Sequence, residues 1–261
     1  MSSPRIGTVD IETAPLLVYC WGLFKQFIGL EQIVEDASIL SFSYKWLGEK
    51  EVFHHNTGGF GADKVRDDSQ LLPLIWEFLD EADIIVTQNG IRFDVKKINA
   101  RFIQAGFHPP SPYKIIDTMV EAKKIASFTS NKLAWLSKVL TSVPKSNHRE
   151  FPGFELWTAM LADNPKAWVA CRKYNNRDVV ATEGVYLKLR PYIIGHPNVA
   201  NYNEVNKIQC PKCESTNMQK RGLALTQTGS YHRYRCSGCG GWSRSRYTLT
   251  SRVKSNNLLS N

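Results

Sequence analysis

The first half of the chain alternates apolar and polar residues in short runs, whereas the second half carries longer stripes of helical period. Residues 5–10, Arg-Ile-Gly-Thr-Val-Asp, alternate and are β-branched, as a central strand would be. Residues 38–46 and 51–55 predict two further strands, joined by a hairpin turn at Leu47-Gly-Glu-Lys50. Leu71, Leu72, Leu74, Ile75, Phe78 and Leu79 fall on one stripe and predict a helix over 67–81. A short strand over 83–88 ends at Asn89-Gly90, a helix over 93–106 is closed by glycine, and 113–117 reads as the next strand. From Asn131 the pattern is helical, with Leu133, Leu136, Val139 and Leu140 on one side and a second long segment over 165–189. Strands first and alternation afterwards predict an α/β domain, a mixed sheet covered by helices, spanning residues 1–197. The Asn-rich stretch 198–206 is expected to be a linker and 251–261 a flexible tail.

Charge separates the last quarter from the rest. Residues 1–200 hold 23 Lys and Arg against 22 Asp and Glu, and residues 201–261 hold 10 against 2, which accounts for nearly all of the net +9. Such a local excess suits either a polyanion partner, because each cation that neutralises a phosphate releases counterions, or a solvated basic tail. No apolar run reaches the length of a membrane span and no signal-peptide pattern opens the chain, so a cytoplasmic protein without a membrane partner is expected. A Gly-x4-Gly-Lys loop is absent, which argues against an ATP-driven step.

Four of the six cysteines, Cys210, Cys213, Cys236 and Cys239, form two Cys-x2-Cys pairs with 22 residues between them. Each pair sets two thiolates on one turn, and together they complete a tetrahedral four-thiolate Zn²⁺ site that serves folding rather than catalysis. Around them, basic residues including Arg233 and Arg235 interleave with Tyr231, Tyr234, Trp242 and Tyr247 in short alternating runs, so residues 207–250 resemble a small β-rich zinc ribbon. The aromatics either stack nucleic-acid bases or make up the ribbon's own core. On the first of these readings Arg233, Arg235 and Trp242 bind substrate. Cys20 and Cys171 stand alone among apolar residues and read as buried free thiols.

Three acidic clusters punctuate the first domain. Asp10 and Glu12, two apart at the end of the first strand, point to one face, where two like charges are poorly tolerated without a cation or a proton between them. Asp94 follows the Asn89-Gly-Ile-Arg-Phe turn and falls in the first turn of a helix, a position that favours an anion with or without a metal. Asn89 serves either the turn or the substrate, and Phe93 either the core or a base. Tyr174 and Asp178, four apart on the last long helix, share a face and address one site, unless Tyr174 packs in the core and Asp178 pairs with Arg177 or Lys173. Asp117-Thr118 at another strand end is either a further acid of the site or a surface helix cap.

In this order and wording, Asp10-Ile-Glu-Thr13, Asn89-Gly-Ile-Arg-Phe-Asp94 and Tyr174-x3-Asp178 resemble the three motifs of the DEDD superfamily of 3′-5′ exonucleases, tyrosine subtype. The wording is closest to the proofreading domains of family B DNA polymerases. The resemblance covers roughly residues 5–190 and implies a ribonuclease H-like fold with a mixed five-stranded sheet flanked by helices. It further implies two Mg²⁺ or Mn²⁺ ions, with Asp10 bridging both, Glu12 and Asp178 completing the site of the attacking water, and Asp94 holding the second metal. Tyr174 would orient the water, and nucleoside 5′-monophosphates would be released. Implied partners are single-stranded DNA or 3′ ends and, since the sequence holds no polymerase domain, a separate replication or repair protein. RNA or branched substrates, and a scaffold that only binds nucleic acid or protein, stand as alternatives.

Overall fold

The alternating N-terminal segment forms β1 (Ile6–Thr13), the central strand of a five-stranded sheet in the computed structural model, which describes residues 3–145 and 148–259. After a small hairpin of β2 (Leu17–Val18) and β3 (Ile33–Glu35), the chain returns as β4 (Ile39–Trp46) and β5 (Phe53–Asn56). Helix α1 (Leu71–Glu81) leads to β6 (Ile84–Thr87), and α2 (Asp94–Gln104) leads to β7 (Lys114–Asp117). The order is β5-β4-β1-β6-β7, antiparallel from β1 towards β5 and parallel from β1 towards β7. This is the mixed, helix-flanked α/β sheet of the ribonuclease H-like type that the resemblance implied. Helices α3 (Thr118–Ile125), α4 (Leu133–Leu140), α5 (Glu155–Leu161) and α6 (Pro165–Leu189) complete the layer set.

The two faces of the sheet differ in chemistry. Val9 and Ile11 of β1 and Phe42 and Trp46 of β4 meet Leu72, Ile75 and Phe78 of α1 and Phe102 of α2 in one apolar cluster. Each such side chain contributes about 1.5–3 kcal/mol by leaving water. Phe78 is the keystone of that face, with ring centroids 4.6 Å from Tyr44, 4.9 Å from Trp46 and 5.6 Å from Phe42. Gly7 makes room for it, since a Cβ there would lie 2.5 Å from the Phe78 ring. On the other face, Asp10 and Glu12 stand opposite Ser43 and Ser41 of β4, and this polar strip is covered by α6. Ser41 donates to Asn175 at 3.3 Å, Ser43 donates to Asn176 at 2.9 Å, and the buried Lys45 pairs with Glu183 at 2.7 Å. Helix α6 thus docks partly through hydrogen bonds, so its stripe is less apolar than that of α1.

The chain divides into two compact units, Arg5–Tyr186 and Leu187–Asn261 with Met1–Pro4. The division falls in the last turns of α6, before the expected limit at 197, because the residues beyond the helix bond to the cysteine module. Lys212 Nζ donates to Pro191 O at 2.6 Å, and Val199 N donates to Pro211 O at 2.9 Å. The expected linker carries a 3₁₀ turn, Val199–Tyr202, with Val199 buried and Asn198 capping Ala200 N at 3.2 Å. Strands β8 (Met218–Leu225), β9 (Ser230–Cys236) and β10 (Trp242–Arg244) form an antiparallel sheet in the order β10-β9-β8. The expected tail holds a short helix, α7 (Arg252–Asn256), capped by Ser251.

Two features depart from the sequence pattern. Cys20 is exposed rather than buried, because it lies in the excursion between β1 and β4, where Trp21, Leu23, Phe24 and Phe27 also face outward. Helix α3 is started by the Asp117 cap, and α5 is too short to carry a readable apolar stripe. No helix among the described residues is long and apolar enough to cross a membrane.

Candidate active site

The acids of β1 are brought to their neighbours by a mismatch in strand length. β1 pairs with β6 only as far as Thr8 opposite Val86, so the backbone beyond has no ladder partner on that side. The orphaned N–H of Ile11 is taken by the Asp94 carboxylate at 3.2 Å, which fixes the start of α2 against the acid end of β1. The turn that delivers Asp94 is tight: Asn89 has φ +68°, and a Cβ on Gly90 would lie 2.5 Å from Thr87. Asp117 holds this turn from beneath. Its carboxylate accepts from Asn89 N at 2.9 Å and Ile91 N at 3.2 Å while capping α3 through Met119 N at 3.0 Å and Val120 N at 3.2 Å. Asp117 is therefore a helix cap, buried rather than on the surface.

From the opposite side α6 presents Tyr174, Asn175 and Asp178. Asn175 Nδ2 donates to Asp10 at 2.5 Å, locking the helix to the β1 acids. Asp178 pairs with neither Arg177 nor Lys173 but with Lys145, at 2.5 Å, and Arg177 donates instead to the Pro144 carbonyl at 2.7 Å. Lys145 lies 4.7 Å from the centre of the Tyr174 ring and also hydrogen-bonds the tyrosine side chain. Sequence reasoning missed Lys145 altogether: it sits in a loop with no periodicity, and only the folded geometry gives it a partner 33 residues away.

Asp10, Glu12, Asp94 and Asp178 repel one another inside a poorly solvated pocket. Burial, then repulsion from Asp94, Glu12 and Asp178, holds Asp10 well above the usual carboxylate range. Glu12 is pushed up to about 8 by burial and then by Asp178, and Asp94 to about 6 by burial, which outweighs its backbone N–H bonds. Asp178 is raised too, because burial outweighs the attraction of Lys145. Its Oδ1 is buried with no hydrogen-bond partner. Burial and the charge on Asp178 push Tyr174 up to about 12, so its hydroxyl keeps its proton.

A buried carboxylate oxygen without a donor, in a cluster of four acids facing one lysine, suits hard divalent cations bound through oxygen. Among the described residues no three of the four acids draw their oxygens within 4.8 Å of one another; only the cysteines converge in that way. Ligands shared by two ions about 3.5–4 Å apart need not meet at one point.

Beside the acids opens a cleft of about 490 Å³ lined by Lys145, Arg149, Lys173 and Arg177, with His148, Tyr174 and a single acid, Glu150. Among the residues expected to touch substrate, Phe93 is 39 % exposed and hence not a core residue, whereas Asn89 forms the turn itself.

The cysteine module is closed by contrast. Cys210, Cys213, Cys236 and Cys239 hold their sulfurs within 4.8 Å of one another, with Cys210–Cys239 and Cys213–Cys236 both at 3.6 Å. Four sulfurs about 2.3 Å from one tetrahedral zinc would lie about 3.8 Å apart, so the set fits that ion. Backbone N–H groups of Lys212, Gly238 and Gly241 point at the sulfurs of Cys210, Cys236 and Cys239 at 3.3–3.5 Å. Arg233, Arg235 and Trp242 are exposed on the sheet of this module.

A model of the RNase_H superfamily matches residues 29–190, and the chain belongs to that superfamily. The match holds Asp94, Tyr174 and Asp178 but begins after Asp10 and Glu12. Among curated proteins the chain is similar to the DNA polymerase III PolC-type of Ureaplasma parvum serovar 3 (strain ATCC 700970), 30% identical over 146 residues. That alignment takes in 49% of this chain and only 9% of the polymerase. Among solved structures it is similar to the family B DNA polymerase from the hyperthermophilic archaeon Pyrobaculum calidifontis, at 16% identity and a TM-score of 0.46. There the alignment covers 73% of this chain and 26% of that one.

Proposed function

We propose that this protein is a metal-dependent 3′-5′ exonuclease of the tyrosine DEDD type, acting on nucleic acid and preferring DNA. The observation that carries the reading is four carboxylates, Asp94 and Asp178 buried and Asp10 and Glu12 half-buried, held together by the fold with Lys145 as their counter-charge. A chain that used this region only for stability would have little reason to retain such repulsion. Asp10, Glu12, Asp94 and Asp178 would hold two Mg²⁺ or Mn²⁺ ions, which lower the pKa of bound water and neutralise charge on the scissile phosphate.

The remaining roles belong to the protein's own side chains. Tyr174, protonated at neutral pH, orients the attacking water by hydrogen bond rather than acting as a base. Lys145 keeps Tyr174 and Asp178 in one arrangement. The cationic cleft of Arg149, Lys173 and Arg177 receives the phosphates of the strand, and Asn89 and Phe93 stand near the terminal nucleotide. The zinc-bearing module adds a second hold on nucleic acid. Its basic composition supports that role.

The test is digestion of 5′-labelled single-stranded DNA, duplex DNA and RNA by the full-length protein with Mg²⁺ or Mn²⁺. Single-stranded DNA should shorten one nucleotide at a time from the 3′ end and release nucleoside 5′-monophosphates. Cleavage that ignores the 3′ end, or a preference for RNA, would redirect the assignment within the superfamily.

A further inference from the structure

Resting on the reading above, we infer that one face of the β8–β10 sheet is a preformed receptor for single-stranded nucleic acid, built from Tyr231, Arg233, Arg235, Trp242 and Arg244. The β9–β10 register sets Trp242 opposite Arg235 and Arg244 opposite Arg233. Because strand side chains alternate, Tyr231 shares that side, while Tyr234 and the zinc ligand Cys236 lie on the other. The cations and rings are interleaved: Arg233 lies over the Trp242 ring at 5.0 Å from its centre, and Arg244 over Tyr231 at 3.8 Å. These aromatics are therefore platforms on an outer face rather than core, and Trp242 is 49 % exposed.

The charge on this face has no internal counterpart. Residues 201–261 contain only two acids, Glu204 and Glu214, and no carboxylate pairs with Arg233, Arg235 or Arg244 among the described residues. Arg233 is steadied through its Nε, which donates to Arg221 O at 2.9 Å, so its terminal nitrogens can reach a phosphate without first becoming ordered. Planar guanidinium groups stacked on rings bind phosphate oxygens in pairs and offer their own faces to bases. Flat stacking surfaces need bases that are not already stacked in a duplex, which selects a single strand over a double helix. Tyr, Trp and Arg also serve protein interfaces, but three arginines with no carboxylate among them match the repeated negative charge of a phosphate chain.

The experiment uses the full-length, zinc-loaded chain carrying Asp10→Ala, so that the probe survives, with fluorescence anisotropy of a labelled oligo-dT. Arg233→Glu with Arg244→Glu should weaken binding about tenfold or more and, at about 0.7 of slope per single-strand phosphate contact, flatten the log–log salt dependence by about 1.4. Trp242→Ala should cost about tenfold, and Trp242→Phe should recover most of it. Zinc content, measured on every variant, reports that the module is folded. Unchanged oligo-dT affinity in the zinc-loaded arginine variant, or tighter binding of duplex than of single strand, would overturn the assignment. Hydrolysis by the unsubstituted chain is read separately: binding through this face without any hydrolysis would sink the exonuclease reading and leave this one standing, and hydrolysis with no role for this face would do the reverse.

Discussion

The carboxylate cluster and the cysteine cluster solve opposite problems. The four thiols come from two short knuckles, converge within 4.8 Å, and accept backbone N–H groups that soften their mutual repulsion. The four acids come from β1, α2 and α6, resist convergence, and are held in place by groups that belong to the fold: Ile11 N, Asn175 and Lys145. A structural metal assembles its own site, whereas a working metal centre is assembled by the protein against electrostatic resistance. The first stabilises the fold that contains it, and the second is stabilised by the fold around it.

If that contrast holds, removing the two kinds of ligand has different consequences for stability. Replacing Cys213 by Ser, or stripping zinc with a chelator, should unfold residues 210–244, because four-thiolate zinc binding is worth on the order of 10 kcal/mol of folding free energy. Hydrogen exchange would show β8 and β9 losing protection while β1 and β4 keep theirs; protection retained in β9 without zinc would remove the structural role. Asp178→Asn should act differently. Hydrolysis should fall on the order of 10³-fold, as when a group stabilising transition-state charge is lost. The melting temperature of the metal-free chain should change little, since relief of repulsion among the acids offsets the lost pair with Lys145. Calorimetry and a turnover assay on one preparation would read both, and near-normal turnover would remove Asp178 from the chemistry.

A smaller effect sharpens the same point. An acid whose folded pKa lies above its unfolded value keeps its proton in the folded chain after the unfolded chain has released it, so stability falls as pH rises between the two values. Glu12 moves from 4.5 to about 8 and Asp94 from 3.8 to about 6. The melting temperature of the metal-free chain should therefore decline from about pH 4 to about pH 8. Stabilisation by added Mg²⁺ should grow across that range, because the metal competes with the protons. A flat profile would mean that the acids are solvated and the cluster open.

Most of this architecture is legible in the sequence, for identifiable reasons. β1, β4, α1 and α2 carry strong apolar periods, and alternation or helical phase fixes the direction of Asp10 and Glu12 at the end of β1, Asp94 at the start of α2 and Asp178 within α6. The cysteine module follows from spacing alone. What escaped was made by tertiary contact. Lys145 has no local signal, the capping role of Asp117 depends on the Asn89 turn meeting it across the sheet, and the exposure of Cys20 depends on an apolar excursion that the fold leaves uncovered. The 3₁₀ turn at Val199–Tyr202 was hidden for the same reason: besides the local Asn198 cap, it rests on the burial of Val199 and on the Pro211 carbonyl.

Manganese titration of the zinc-loaded full-length chain, followed by calorimetry or by the Mn²⁺ paramagnetic signal, reads the acidic centre itself. Two Mn²⁺ ions should bind per chain, and Asp10→Ala, which removes one of the proposed ligands, should abolish the pair while zinc stays in place. Failure to bind Mn²⁺ at neutral pH, or binding that is indifferent to Asp10, would contradict a metal centre formed by these carboxylates.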